Sequence, residues 1–276
     1  MLDIDGRPVA KHIRETARAS AEALRERGVV PTLAIIAATS DEGAWWYVRT
    51  LEKTATTAGI DVRIKELPTD ATTEIIAEAI RQQAEDPAVH GILLQTPLPH
   101  DVNIDDLLEL IPPEKDVDGA NPVSAGRLLY GTAAFAPATA EAVLVLLDHY
   151  KIPLDGKRIT VIGRSRIVGK PVAHLLLARD ATVTVCHSRT VDIKAHMQDA
   201  EVLLAAVGKP KLITKDMVLP GAYVIDVGTN VVDDQLVGDV DPAVAEVAAG
   251  LTPVPGGVGP VTTALILQHT IAAVRE

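Results

Sequence analysis

The sequence predicts an α/β protein of two domains, an N-terminal α/β layer domain and a C-terminal doubly wound Rossmann-type domain. Three observations carry this expectation. Short apolar, β-branched runs alternate with helical patterns along the chain, and strands separated by helices pair in parallel. Hydrophobic residues make up 47% of the chain and aromatics only 3%, so the cores are built from Ala, Val, Leu and Ile, as parallel-sheet layers require. A length of 276 residues exceeds the commonest single-domain size.

In the first half, a Gly6-Arg7-Pro8 turn precedes Val9, Ile13, Ala17, Ala21 and Leu24 at helical spacing, and the pattern stops near Gly28. Leu33 to Ala38 reads as a buried strand, Ala44 to Ala58 as a helix ending at Gly59, and Asp61 to Leu67 as an alternating strand. A helix over Thr73 to Glu85 and an apolar strand over Val89 to Gln95 follow. The boundary is expected near Pro137, so the first domain is 1–137 and the second 138–260. The second domain opens with the helix Ala140 to Tyr150. Its strands are expected at Arg158 to Gly163, Thr182 to Cys186, Val202 to Val207 and Tyr223 to Val227. A closing helix, Val261 to Arg275, follows a Pro/Gly-rich segment, and the stretch 261–276 is expected to pack back on the first domain.

Composition excludes several classes of function. A formal charge of -11 argues against nucleic acid and anionic membrane as partners, since both select basic surfaces. The lone Cys186 excludes an internal disulfide framework and a cysteine zinc site, and the histidines show no metal-ligand spacing, so no metal is expected. Met1 to Asp5 has neither the basic start nor the apolar run of a signal peptide, and runs such as Ala142 to Leu147 are too short to span a bilayer. The expected location is the cytoplasm.

A phosphate site is expected where the strand Ile159 to Ile162 runs into Gly163-Arg164-Ser165-Arg166-Ile167-Val168-Gly169-Lys170-Pro171 and then an apolar helix. Glycines let the backbone approach a pyrophosphate, the helix N-terminus offers N–H groups, and Pro171 suits a first turn. The spacing is not G-x-G-x-x-G, and a turn that binds nothing stays open as the alternative. The next strand ends at Cys186-His187-Ser188-Arg189-Thr190, where an NAD site usually carries an acid for the ribose 2′-hydroxyl. No acid is present. Arg164, Ser188 and Arg189 instead offer donors and charge for a 2′-phosphate, which favours NADP. Asp226-Val227-Gly228-Thr229-Asn230 closes another strand, and two readings of it stand side by side: backbone near Thr229 meets the nicotinamide, or this is a plain turn.

The Gly163 to Pro171 segment resembles the methylenetetrahydrofolate dehydrogenase/cyclohydrolase family of the bifunctional FolD type. Six further segments agree in order and spacing: Gln95-Thr96-Pro97-Leu98-Pro99, Pro113 to Gly119, Thr182 to Ser188, Asp226-Val227-Gly228, Gly238-Asp239-Val240, and Thr252 to Pro260. The resemblance implies oxidation of 5,10-methylenetetrahydrofolate to the methenyl form with NADP, commonly followed by hydrolysis to 10-formyltetrahydrofolate, in a dimeric protein. It implies that Asp118 holds the pterin, that Gln95 orients polar groups near the reacting carbon, and that Tyr47 lines the folate pocket. It also implies that Leu51, Pro255, Gly256 and Gly257 border the substrate, and that Gly163, Arg164, Ser165, Ile167, Ser188, Arg189 and Thr229 hold the cofactor.

One departure bears on the chemistry. The family pattern has a lysine four residues after the pocket tyrosine, assigned to the cyclohydrolase step, and here that position is Leu51. Lys53 is no substitute, because two residues along a helix is about 200° of rotation. Ala44 and Ala140 also replace a usual serine and proline, and for the unusual Trp45 and Trp46 two readings stand: Trp46 covers the pocket, or, as expected, both pack their helix into the core. Two other readings stay open: an NADP dehydrogenase for another small molecule on the same plan, and a non-catalytic folate-binding relative.

Overall fold

The computed structural model describes residues 1–233 and 235–274, so the last residues of the expected closing helix, Arg275 and Glu276, lie outside the described residues. In chain order the elements are β1 (Leu2–Asp3), α1 (Gly6–Glu26), β2 (Thr32–Ala37), α2 (Glu42–Thr57), β3 (Asp61–Glu66), α3 (Thr73–Glu85), β4 (Gly91–Gln95), α4 (Ile104–Leu108) and α5 (Pro122–Leu129). They continue with α6 (Ala138–His149), β5 (Arg158–Ile162), α7 (Gly169–Leu177), β6 (Thr182–Cys186), α8 (Ile193–Gln198), β7 (Val202–Ala205), β8 (Tyr223–Asp226), β9 (Asn230–Val232), β10 (Gln235–Val237), β11 (Gly250–Leu251) and α9 (Val258–Ala272). The architecture is α/β in two compact units, one of His12–Ala138 with Thr263 onward, the other of Met1–Lys11 with Thr139–Thr262.

The first unit is built on a parallel sheet of order β3-β2-β4. Every residue of β2 and β4 is buried, which explains their unbroken apolar sequences, while edge strand β3 alternates between exposed and half-buried positions. Ile36 and Ile92 from the sheet meet Ile76 and Ile80 of α3, Leu107 of α4 and Ile111 in one core. Helix α2 starts where the Asp41 carboxylate accepts from the Ala44 N–H at 2.7 Å. Helix α3 ends on a cation: Lys115 Nζ donates to the carbonyls of Ala84 (2.7 Å) and Asp86 (2.8 Å), at the negative end of the helix dipole. That anchor lays the segment after Lys115 along β4, where the Ile92 N–H donates to the Lys115 carbonyl at 2.8 Å and Ile92 bridges Asp116.

The second unit has a six-stranded parallel sheet of order β1-β11-β8-β7-β5-β6, plus the antiparallel hairpin β9-β10. The chain passes from β5 to β6 on one side and returns to β7 on the other, so the strand order reverses beside β5, the place where doubly wound sheets bind ligands. The first eleven residues differ from expectation: they cluster with this unit, not with the first half. Leu2 and Asp3 pair in parallel with Gly250 and Leu251, the Gly6 N–H donates to the Gly256 carbonyl at 2.8 Å, and the Tyr150 hydroxyl donates to the Asp5 carbonyl at 2.8 Å. A two-residue strand has no periodicity from which its partner can be read.

Ile36 sits fully buried at the centre of the first unit's core, so Ile36→Ala removes apolar surface and leaves a cavity. The expected loss is about 2–5 kcal/mol of unfolding free energy. Urea denaturation measures it, and a loss within experimental error would contradict this packing.

Candidate active site

In the first unit, Tyr47 is half-buried on α2 and its hydroxyl is hydrogen-bonded with Thr263 of α9. Burial first, and then the nearby charge of Asp118, hold the phenol in its neutral form well above the usual range. Asp118 lies within a tight turn in which the Gly119 N–H donates to the Asp116 carbonyl at 3.0 Å. Gly119 has φ 65°, and a Cβ there would overlap the Ala136–Pro137 peptide, so glycine is required on both grounds. Beneath the turn, the Asp116 carboxylate is 1% exposed and accepts the N–H groups of Ala120 and Asn121, both at 2.9 Å. Burial, and secondly the charge of Asp116, push Asp118 up to about 7, while His269 works in the opposite direction. Tyr47 and Asp118 are thus brought together.

Gln95 stands at the carboxyl end of β4 in the same unit, buried, with its Nε2 donating to the Thr96 carbonyl at 2.6 Å beside a cis Thr96–Pro97 bond. Leu51, expected along the substrate surface, is fully buried with Ala44, Val48 and Ala55 on the apolar face of α2 and presents no accessible atoms. Arg49 and Lys53 are exposed. The tryptophans correct an expectation. Trp45 is half-buried with its indole N–H donating to the Thr39 carbonyl at 2.9 Å, but Trp46 is 62% exposed, because the helical face that reaches the core runs through positions 44, 48, 51 and 55.

In the second unit, Gly163 leaves β5 with φ 116°, and a Cβ there would overlap the Ala206 carbonyl that follows β7. The Gly163 N–H donates to the Cys186 carbonyl and the Ala206 N–H to the Ile162 carbonyl, each at 2.8 Å, so three strand ends are laced at the reversal point. Gly169 opens α7 against the Gly163 carbonyl, with no room for a side chain. Ser165 Oγ accepts from the N–H groups of Val168 (3.2 Å) and Gly169 (3.3 Å), which curls the loop and leaves Arg164, Arg166 and Ile167 exposed. After β6, the His187 N–H donates to Thr190 Oγ1 at 2.9 Å and the Arg189 N–H to His187 Nδ1 at 3.2 Å, with Ser188 and Arg189 facing solvent. A loop with a glycine at each end, at a helix start and flanked by exposed arginines, fits a dinucleotide pyrophosphate and a further phosphate.

Two carboxylates that stand in the sequence motifs, Asp226 and Asp239, have a role the motifs did not reveal. Asp226 Oδ1 accepts from the N–H groups of Gly228 (2.9 Å) and Asp239 (3.0 Å), and its Oδ2 accepts from that of Val240 (2.9 Å). Asp239 in turn accepts from the N–H groups of Val207 (2.7 Å), Gly208 (3.0 Å) and Lys209 (2.8 Å), and from Asn230 Nδ2 at 3.0 Å. They tie the loops after β7 and β8, including the exposed Thr229, to one another. Burial pushes Asp226 up to about 6 despite these donors. The available signal was the pair of glycines, since a Cβ at Gly228 or Gly238 would overlap one of these carboxylates. Pro255, Gly256 and Gly257 also belong to this unit, after a cis Val254–Pro255 bond, with the Gly257 N–H donating to the Pro253 carbonyl at 2.8 Å. The expected substrate set is therefore divided between the two units.

Comparison with known proteins agrees across the chain. The family model for the tetrahydrofolate dehydrogenase/cyclohydrolase catalytic domain matches residues 4–118, and that for the corresponding NAD(P)-binding domain matches 137–276. The chain is 52% identical over 275 residues to the bifunctional protein FolD 1 of Paenarthrobacter aurescens (strain TC1), covering 99% of this chain and 94% of that protein. The crystal structure of the Campylobacter jejuni FolD dehydrogenase/cyclohydrolase is similar with a TM-score of 0.96 at 37% identity, covering 99% of this chain and 98% of that one. Trypanosoma brucei methylenetetrahydrofolate dehydrogenase-cyclohydrolase, solved with NADP cofactor and an inhibitor, is similar with a TM-score of 0.95 at 39% identity, over 99% of this chain and 97% of that one.

Asp118 makes stability depend on pH. Its folded pKa of about 7 stands above the ordinary 3.8, so the native state holds this proton more tightly than the unfolded chain does. The contribution is complete below about pH 4 and is lost as pH rises through about 7. Asp118→Asn removes it, so the variant is expected to lose less stability than the parent across that window. Urea unfolding at a series of pH values measures the difference, and parallel curves would contradict it.

Proposed function

The chain belongs to the tetrahydrofolate dehydrogenase/cyclohydrolase family, and from that premise we propose that it works as a dehydrogenase whose cyclohydrolase step is absent or strongly reduced. The enzyme oxidises 5,10-methylenetetrahydrofolate to the 5,10-methenyl form with NADP. The observation that carries the reading is the joint presence of the Gly163 cradle at the strand-order reversal and the Tyr47–Asp118 pair, in a chain matched throughout by both family domains. That breadth disfavours a dehydrogenase for another small molecule. The cofactor cradle disfavours a pure folate binder, which has no use for one.

The first unit is read as the folate domain and the second as the NADP domain. When bound, NADP supplies the hydride acceptor. Gly163, Ser165, Ile167 and Thr229 are assigned to holding it, with Arg164, Ser188 and Arg189 facing its 2′-phosphate. Asp118 is assigned to accept hydrogen bonds from the pterin N–H donors, Gln95 to orient the reacting end, Tyr47 to line the ring, and Pro255, Gly256 and Gly257 to border the substrate. Positioning is the main task in hydride transfer, and it needs no amine at position 51. Hydrolysis of the methenyl product needs an activated water, for which a positioned acid–base group contributes about 10²–10⁴-fold. Leu51 has no such group, and the exposed Arg49 and Lys53 lie off the buried face of α2. The reading extends to a cytoplasmic homodimer: a single cysteine fits a reducing compartment, and two-fold dimers are the commonest closed assembly.

Two measurements test this. Methylenetetrahydrofolate should reduce NADP, and Arg164→Ala should weaken NADP roughly ten- to a hundredfold while sparing NAD, the usual cost of one charge-assisted contact. Equal losses for both cofactors would remove Arg164 from the phosphate. For the second step, the methenyl product should accumulate by its ultraviolet absorbance, and added methenyltetrahydrofolate should decay at or little above its rate without enzyme. Brisk decay above the uncatalysed rate overturns the loss of cyclohydrolase.

A further inference from the structure

Helix α9 sends two side chains to the Tyr47–Asp118 pair. Thr263 meets the Tyr47 hydroxyl. His269, nearly two turns further along, is buried, and its Nδ1 lies 2.8 Å from the carbonyl oxygen of Val117, the residue before Asp118. A carbonyl only accepts, so Nδ1 carries the proton. The imidazole is held in turn by Phe135, with ring centroids 4.9 Å apart at an interplanar angle of 31°. Val117 is fully buried and seated over Gly91, where an added Cβ would come within 2.7 Å of Val117 Cγ1 and 3.0 Å of Thr270 Oγ1. On the other side of the carboxylate, the Asp118 carbonyl accepts from the Ala138 N–H at 3.3 Å. The peptide that carries Asp118 is therefore fixed by α9 on one side and by the start of α6 on the other.

We propose that His269 is a positioning residue for Asp118, its Nδ1–H holding the Val117 carbonyl so that the Asp118 carboxylate is aimed at the N–H donors of the folate ring. This rests on reading Asp118 as the substrate-binding carboxylate. His269 acts by charge as well as by geometry. The groups facing Asp118 are Asp116 from its own loop, Tyr47 from α2 and His269 from α9; Asp116 opposes ionisation of Asp118, and the imidazole favours it. The hydrogen bond and the charge are separable, because an asparagine at this position places an amide N–H near the site of Nδ1 but carries no charge.

The test compares His269→Leu, His269→Asn and Asp118→Asn in full-length enzyme with NADP. His269→Leu should raise KM for methylenetetrahydrofolate about tenfold, the usual cost of one buried hydrogen bond, with NADP affinity unchanged. His269→Asn should restore KM at pH 8.5, yet move the acid limb of its kcat/KM profile to higher pH. If Leu and Asn raise KM alike, His269 serves only packing and the proposal fails. If His269→Leu leaves KM unchanged while Asp118→Asn raises it, the inference fails and the reading of Asp118 survives. If Asp118→Asn leaves KM unchanged, that reading fails and takes the inference with it. Should His269→Leu not fold, the imidazole nitrogen-15 spectrum of the parent enzyme decides: a ring carrying a proton on Nδ1 is expected, and protonation at Nε2 alone overturns the proposal.

Discussion

Backbone N–H groups converging on buried carboxylates hold the loops on which both candidate sites depend. A carboxylate out of water costs several kcal/mol unless donors replace its hydration. Asp116, Asp226 and Asp239 obtain those donors from the main chain of the loops they organise. Moving any of these loops would strand a buried charge, so the loops are rigid for an electrostatic reason. The same constraint selects neighbouring glycines, because a side chain at Gly228 or Gly238 would occupy the place of a carboxylate.

These rigid loops suit a reaction in which alignment does most of the work. In the first unit the anchoring runs from Lys115 on the carbonyls of α3, through the buried Asp116, to Asp118 beside Tyr47. In the second unit the glycine at the end of β5 and the laced ends of β6 and β7 form a surface that a pyrophosphate can approach closely. Helix α2 divides its faces accordingly. Its buried stripe of Ala44, Val48, Leu51 and Ala55 packs into the core, and the charged Arg49 and Lys53 point to solvent. A helix arranged this way presents an aromatic hydroxyl through Tyr47 but no amine one turn later.

Much of this was legible in the residues. The helices and strands for which the sequence set limits lie within a few residues of them, because apolar periodicity and terminal signals such as Gly59 and Gly163 act on near neighbours, whereas β1, β11, α4, α5 and α8 had no expected limits. The phosphate-binding loop was legible for the same reason: β-branched strand, glycine and helix are consecutive. Leu51 was noticed as a chemical departure, but its complete burial was not, since helical phase alone does not say how deeply a face is covered. Trp46 shows the converse, an aromatic expected in the core that the phase of α2 turns outward.

By itself the sequence determined the fold class, the alternation of elements, the glycine cradle, the arginines beside it and the resemblance that names the chemistry. Each of these is written in contiguous residues, where local sterics and hydrogen bonding act. Only the tertiary structure decided that β1 joins the sheet of the second unit, that Asp226 and Asp239 share their loops, and that His269 reaches the carbonyl before Asp118 across 152 positions of chain. It also decided the proton affinity of Asp118. Burial and the approach of charges depend on which distant segments pack together, and no short stretch of residues encodes that distance.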